Sequence, residues 1–446
     1  MENERASKPK SSLLIIVAVV VLILIAVLVA RSLLTTSLGS DRHSRLWLMM
    51  GYDAARTNYN FLETTEPPLK QEKAFGLGSN SSSENTATTI FAADEDNIYL
   101  LSYSSSSAKD KKAENKIEAF DLETGKRKWR FSGGSMLGLG AVEDEHIYCV
   151  STEPNVVFAI DVSTGKKVWQ SKLADKGAAQ QYYVPVVRRG IVYAVSENSE
   201  LFALDGKTGK KRWVFSEIPV AGSPAVSGGL VYSVTKDGRV LALDAASGEQ
   251  KWIVGAPNWT SLLNPAVGNG QVCLVDRDRR KATDTMIAID ARNGEMLWQS
   301  KIEPNVIING FCIGKEKVFI SLGEFKKAKP ESRYQGKVFA VSSKNGKRLW
   351  KKETWGMPAF LVGAQDTLYV SSSKVWRGVN GRLHVEGGSI FAFSMDTGKE
   401  IEEYKVVRKK SGYEGTYFQP PLLISNGKLL AHDVVNNTVY VFAEEP

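Results

Sequence analysis

Cysteine is scarce in this chain: three residues in 446, Cys149, Cys273 and Cys312, widely separated and odd in number. Such a set cannot form a disulfide framework. Cys149 and Cys273 stand where strands carry small apolar residues, so buried thiols are expected, with a single extracytoplasmic pair as the alternative. No two cysteines are adjacent, no Cys-x-x-Cys-His offers haem attachment, and none precedes Cys149, which leaves no upstream cysteine for lipid modification. Histidine is as rare: His43, His146, His384 and His432 show no zinc-type spacing. The nearest approach to a calcium loop, Asp276-Arg-Asp-Arg-Arg, lacks the turn glycine and the later ligands and reads as a solvated loop. A Ser-His-Asp set can be assembled only by free choice among many serines. The net charge of +8 gathers in no arm or stripe, so nucleic acid is not an expected partner. No catalytic, cofactor or metal residues are assigned.

One long apolar run is present, residues 13–30, about 27 Å of helix and close to a bilayer core. Arg5, Lys8 and Lys10 precede it, favouring an inside N-terminus. The run exceeds the apolar region of a secretory signal, and Leu28-Val-Ala fits a cleavage site poorly, although Ser37-Leu-Gly is an alternative. The expected organisation is a short cytoplasmic N-terminus (1–12), a transmembrane anchor (13–34), and a tether with a pre-blade segment (35–68). An extracytoplasmic domain (69–446) follows, making a single-pass membrane protein.

That domain is built on one repeated stretch, best seen in Leu201-Phe-Ala-Leu-Asp-Gly-Lys-Thr-Gly-Lys-Lys-Arg-Trp. Both alternating sets of its first half are apolar, as in a strand covered on two faces. Asp205 can bond the backbone of a turn, Gly209 can supply its positive φ, and Trp213 opens the outgoing strand. The pattern Ala-x-Asp-x-x-x-Gly-x-x-x-Trp recurs at Gly125/Trp129, Gly165/Trp169, Gly248/Trp252 and Gly294/Trp298. Two worn copies follow: Gly346/Trp350, with Ser342 for Asp, and Gly398, with Ser394 for Asp and Glu402 for Trp. The seven glycines are 40, 44, 39, 46, 52 and 52 residues apart, the spacing of one supersecondary unit per repeat.

Between each outgoing strand and the next copy lies a further hairpin, eight in all. Residues 69–75 form an outgoing strand without an incoming one, and Lys73 stands where the repeats carry Trp. Residues 438–443 form a third strand without a fourth. Seven complete four-stranded units and one split between the termini make an all-β, eight-bladed β-propeller of four-stranded antiparallel blades, preceded by one transmembrane helix. Pairing the first strand with the last blade would hide two sheet edges.

The motif Ala-x-Asp-x-x-Thr-Gly-Lys-x-x-Trp at 159–169 and 203–213, and the preceding Trp47…Asp53-Ala-Ala-Arg-Thr, resemble the repeat family of pyrroloquinoline-quinone (PQQ)-like propellers. That family includes quinoprotein dehydrogenases and the propeller lipoprotein of outer-membrane β-barrel assembly. The resemblance implies that Trp129, Trp169, Trp213, Trp252, Trp298 and Trp350 dock between blades. It also makes PQQ a conceivable cofactor and oxidoreductase or envelope-assembly roles the alternatives. The family's adjacent-cysteine disulfide is missing.

Four connections between second and third strands are long: residues 102–115, 276–285, 323–336 and 372–387. Counting Lys and Arg against Asp and Glu gives them +1, +1, +2 and +2, and residues 405–416, with Arg408, Lys409 and Lys410, carry +3. Tyr103, Phe325, Tyr334, Trp376, Arg377, Tyr413 and Tyr417 lie in or beside these segments, all on one face of the disc. The expected function is a non-catalytic scaffold binding a protein or polymer there.

Overall fold

In the repeat turn, local chemistry decides the geometry. Asp205 Oδ1 accepts hydrogen bonds from Lys207 N (3.2 Å), Thr208 N (3.0 Å) and Thr208 Oγ1 (2.9 Å), while Arg212 Nη2 lies 2.6 Å from Oδ2. Arg212 first, then Thr208, hold the Asp205 carboxyl down at about 2. Gly209 N closes the turn on Asp205 O at 2.7 Å, with φ +69° at the glycine. The backbone closure recurs in every copy, the N–H of Gly125, Gly165, Gly248, Gly294, Gly346 and Gly398 bonding the carbonyl four residues earlier at 2.8–3.0 Å.

The computed structural model describes residues 53, 56, 58–60, 65–77, 85–105, 115–133, 137–152, 155–174, 183–255, 259, 264–278, 283–303, 306–326, 332–377, 383–406, 422–434 and 437–444. The expected anchor, 13–34, lies outside them; among the described residues no helix is long and apolar enough to cross a membrane.

Eight four-stranded antiparallel blades follow one another in chain order. Blade 3 is typical: Val186–Arg188, Ile191–Val195, Leu201–Asp205 and Lys211–Phe215, from the inside outward. The second and third strands are buried on both faces and the fourth is largely exposed. The core is therefore a ring of apolar layers between blades; Tyr148, Val157, Leu173, Val187, Tyr193 and Phe202, for example, join blades 2 and 3. All three cysteines are free and buried in it. Burial pushes the Cys273 thiol up to about 12.

Blade 8 is the split one. Leu69–Gly76 is its outer strand and pairs antiparallel with Thr438–Glu444, which pairs in turn with Lys428–Asp433. Register puts Lys73 opposite Val441, the position that Trp213 takes opposite Ala203. Lys73 Nζ bonds Glu123 Oε2 at 2.5 Å, and Phe75 lies over the Gly125 turn in place of an indole.

Two features exceed the expected plan. The long connections of blades 5, 6 and 7 are extended hairpins rather than irregular loops: Gln271–Asp278 with Thr283–Asp290, Lys317–Lys326 with Ser332–Ser342, and Thr367–Arg377 with Leu383–Ser394. Blades 6 and 7 are joined into one nine-stranded sheet, because Ser332 and Arg333 pair with Arg377 and Trp376. The ninth strand is Tyr59–Asn60, which runs parallel to the innermost strand of blade 7, Met357–Ala364. Asn58 fixes it there: its Nδ2 donates to Phe311 O (2.8 Å), and its carbonyl accepts from Gly363 N (2.9 Å) and Cys312 Sγ (3.2 Å).

Candidate binding platform

The blade order is held by one staple. A bulge in the third–fourth strand ladder, between Ala203 and Leu204 in blade 3 and at matching places elsewhere, turns each Trp toward the following blade. Trp129, Trp169, Trp213, Trp252, Trp298 and Trp350 thereby cover the turns of Gly165, Gly209, Gly248, Gly294, Gly346 and Gly398. Each indole N–H donates to the carbonyl one residue past the Asp (or Ser) position: Val162, Gly206, Ala245, Ala291, Ser343 and Met395. In blades 2, 3 and 4 a tyrosine that the sequence reading left out, Tyr148, Tyr193 or Tyr232, donates to the same carbonyl as the Trp.

This staple explains the missing seventh Trp. Blade 8 has no turn between third and fourth strands, since these are supplied by opposite ends of the chain, so blade 7 has no glycine to cover. Glu402 takes the position instead, opposite Ala392. Tyr404 OH donates to Glu402 Oε2 (3.1 Å) and accepts from Leu69 N (3.0 Å), where the outer strand begins. Tyr369, equivalent to Tyr193, donates to Thr65 O at 2.8 Å. The entering segment thus substitutes for the absent turn.

A buried polar cluster seals blade 8 against blade 1. His432 Nε2 lies 3.2 Å from Asn437 Oδ1 and 3.3 Å from Thr88 Oγ1, Thr88 also donates to Asn437, and Asn437 Nδ2 donates to Leu77 O at 2.5 Å. His432 Nδ1 is buried and makes no hydrogen bond. Burial lowers the imidazole from 6.5 to about 4, against the bond to Asn437, so the ring is neutral at pH 7. The unfolded chain therefore takes up this proton first as pH falls. The stability owed to the neutral ring is whole above about pH 6.5 and drains away down to about pH 4. Urea midpoints measured from pH 7 to 4 should show this loss in the native chain and not in His432→Gln; parallel profiles would refute the assignment.

The platform itself rises on the opposite face from the glycine turns. At its base Lys337, nearly buried, bridges Glu303 (2.7 Å) and Glu324 (2.8 Å), and Lys351 reaches Glu303 at 2.6 Å. Burial pushes the Glu303 carboxyl up, but Lys337 and Lys351 outweigh it and leave it below its ordinary value. Trp355 Nε1 and Ser389 Oγ both donate to Glu403 Oε1, at 2.9 and 2.8 Å, which ties blade 6 to blade 7. Arg277 Nη2 donates to Ile308 O (3.2 Å), joining blade 5 to blade 6. The ionic groups at the base are thus consumed in rigidifying it.

Of the residues expected on this face, the structure brings four together. Phe325 is paired with Tyr334, Trp376 with His384, and Arg377 with Leu383, at the tips of the joined hairpins. Tyr103 stands apart, opposite Asn115 in blade 1. Arg408, Lys409, Lys410, Tyr413 and Tyr417 lie outside the described residues. Among the described residues no group of three or more His, Cys, Asp or Glu could hold a metal ion.

Repeat turns, interblade staples and a split closing blade together define an eight-bladed PQQ-like β-propeller. The chain belongs to the family described as outer membrane protein assembly factor BamB, which matches residues 113–221 and 215–359, more than half its length. No curated protein matches it in sequence. Among solved structures it is similar to BamB from Moraxella catarrhalis, with 15% identity, TM-score 0.51, 84% of this chain covered and 98% of that one. It is also similar to quinohemoprotein alcohol dehydrogenase from Comamonas testosteroni (12% identity, TM-score 0.60, 91% and 82% covered). A europium-containing methanol dehydrogenase gives 14% identity and a TM-score of 0.55, with 90% and 98% covered. At these identities the likeness is one of fold.

Proposed function

We propose that the chain is a binding scaffold whose propeller is held on the extracytoplasmic side of a membrane by residues 13–34. Its partner, a protein or polymer, is engaged by the hairpins of blades 5, 6 and 7. The observation that carries this reading is the junction of the blade 6 and 7 hairpins, Ser332 with Arg377 and Arg333 with Trp376. Surface insertions tolerated by default would have no reason to interlock; a joined, braced sheet is a rigid surface suited to recognition. A family named for an assembly factor agrees with a scaffold.

The test compares the native chain with a variant in which residues 325–334 and 375–385 are replaced by tight turns, both displayed in membranes. Partner retention by the native chain, lost in the variant without change in its urea midpoint, is the expected result. Equal retention would remove the platform from the function. Dye-linked oxidation of alcohols or sugars on adding PQQ and Ca²⁺ would replace the scaffold reading with an enzymatic one.

A further inference from the structure

On the outermost strand of every blade the ladder leaves one residue unpaired, the bulge residue just before the staple position. A bulge turns such a side chain off the ladder, here onto the rim of the ring. In blades 1, 3 and 4 it is a cation that folds back on the repeat Asp: Lys128 to Asp121 (3.1 Å), Arg212 to Asp205 (2.6 Å) and Lys251 to Asp244 (4.0 Å). Blade 2 has Val168 there and blade 8 has Glu72. In blades 5, 6 and 7 the residue is Leu297, Leu349 and Ile401, each 42–50% exposed. The repeat Asp has become Ser342 in blade 6 and Ser394 in blade 7, while in blade 5 Arg292 holds Asp290 at 2.8 Å. An aliphatic residue thus stands where no carboxylate waits for a cation.

One exposed aliphatic side chain is ordinary, but three at the same ladder position on consecutive blades make a stripe. Met296 joins them in blade 5, so four of the six large apolar side chains well exposed among the described residues lie in this sector. Its centre is blade 6. The outer strand there, Arg348–Trp355, and the turn before it expose Lys344, Lys347, Arg348 and Lys352 around Leu349. Glu353 is the one acidic residue of 342–355, and it accepts from Gln335 Nε2 at 2.7 Å. Blade 7 is the more acidic neighbour, but Lys317, Tyr404 and Trp355 engage its Asp396, Glu402 and Glu403. The stripe is therefore apolar along its length and cationic at its middle.

That combination restricts what can cover it. A second copy would set the same lysines face to face, and lysines on an outer strand are a device against such edge pairing. A bilayer surface bearing anionic lipid meets both demands: aliphatic side chains enter the interface while Lys and Arg reach up to its phosphates. Such a surface is also within reach. Asn58, bonded to Phe311 O and Gly363 N, sets the entering chain on blades 6 and 7, the blades of Leu349 and Ile401. Residues 35–52, between the expected membrane span and Asp53, can extend to about 60 Å. From the innermost to the outermost strand of a blade is only about 14 Å. Tethering keeps the surface at high local concentration, so a shallow contact suffices.

We infer that the rim of blades 5, 6 and 7 rests on an anionic bilayer surface through Leu297, Leu349 and Ile401, with Lys344, Lys347 and Lys352 at the centre of the contact. The inference rests on the anchored reading of residues 13–34 and adds a second, reversible contact to it. The test uses the full chain in nanodiscs of phosphatidylcholine, with and without phosphatidylglycerol. A nitroxide is placed at Asn345→Cys or, as control, at Thr164→Cys, the equivalent turn residue of blade 2 across the ring. The native thiols are buried and stay unlabelled. With phosphatidylglycerol present, collision with a water-soluble nickel chelate should fall severalfold at position 345 and stay unchanged at 164. High salt should weaken the protection. Replacing Leu297, Leu349 and Ile401 together by Ser should restore access at 345 with an unchanged urea midpoint, since all three are exposed. Lys347→Gln with Lys352→Gln should abolish the difference between the two lipids. Position 345 open to the chelate in discs that retain the chain would overturn the inference and leave the anchor standing. Protection that appears equally in detergent and rises with protein concentration would overturn it in favour of a second copy. A chain that washes off the discs would overturn the anchored reading and this one together.

Discussion

Removing residues 438–446 is expected to open the ring. Thr438–Glu444 is the strand on which the split blade closes, paired on one side with Lys428–Asp433 and on the other with Leu69–Gly76. Val439 and Val441 are fully buried, Tyr440 and Phe442 nearly so, and Phe442 packs on Tyr404 at 5.6 Å between ring centroids. Losing four such side chains removes about 6–12 kcal/mol of burial at about 1.5–3 kcal/mol each. That is comparable to the whole stability of an ordinary domain. Two strand edges are bared at the same time and become templates for aggregation. Size-exclusion chromatography and urea unfolding should show an expanded or associating protein. Removing residues 106–114 from the blade 1 connection should have a far smaller effect. A truncated chain that stays monomeric and unfolds with undiminished cooperativity would refute the closure.

Gly209→Ala should cost about 3 kcal/mol, and the cost should have two separable parts. The backbone there has φ +69°, which alone disfavours alanine by about 1 kcal/mol. The added Cβ would also lie 2.6 Å from Trp169 Cε3 and 2.7 Å from Cδ2, forcing the indole of the preceding blade off its seat, an overpacking cost of about 1–3 kcal/mol. Gly190 separates the parts, because its φ is +70° and a Cβ there would meet nothing within 4 Å. Gly190→Ala should therefore show the conformational part alone. Lys210→Ala should cost little, since Lys210 serves the turn through its carbonyl, which accepts from Asp205 N at 2.8 Å. Equal urea midpoints for Gly209→Ala and Gly190→Ala would mean that the indole does not hold the blades together through this contact.

The candidate surface was only partly legible. Long connections drew attention to Phe325, Tyr334, Trp376 and Arg377, which stand in strands paired at the joined tips. Nothing in their spacing tells that the two hairpins pair with each other, because the pairing crosses blades and has no repeat to announce it. His432 shows the same limit. It bonds Thr88, 344 residues away, and rare histidines scattered along a chain give no sign of such a contact.

What the sequence by itself determined was everything built from neighbours within a dozen residues. The Asp-to-backbone turn, its glycine at positive φ, the doubly buried third strand and the Trp that follows are local chemistry, and their repetition counted out the eight blades. The tertiary structure alone decided what the irregularities mean. Glu402 in place of Trp looked like decay in a worn repeat, yet blade 8 has no turn for an indole to cover, and Tyr369 and Tyr404 bond the entering chain at Thr65 and Leu69 instead. Tyr59–Asn60 likewise gains its strand character only from the inner edge of blade 7. Two residues cannot carry a periodicity, and a contact spanning some 300 residues leaves no local trace, because its energy comes from a surface that exists only once the ring has closed.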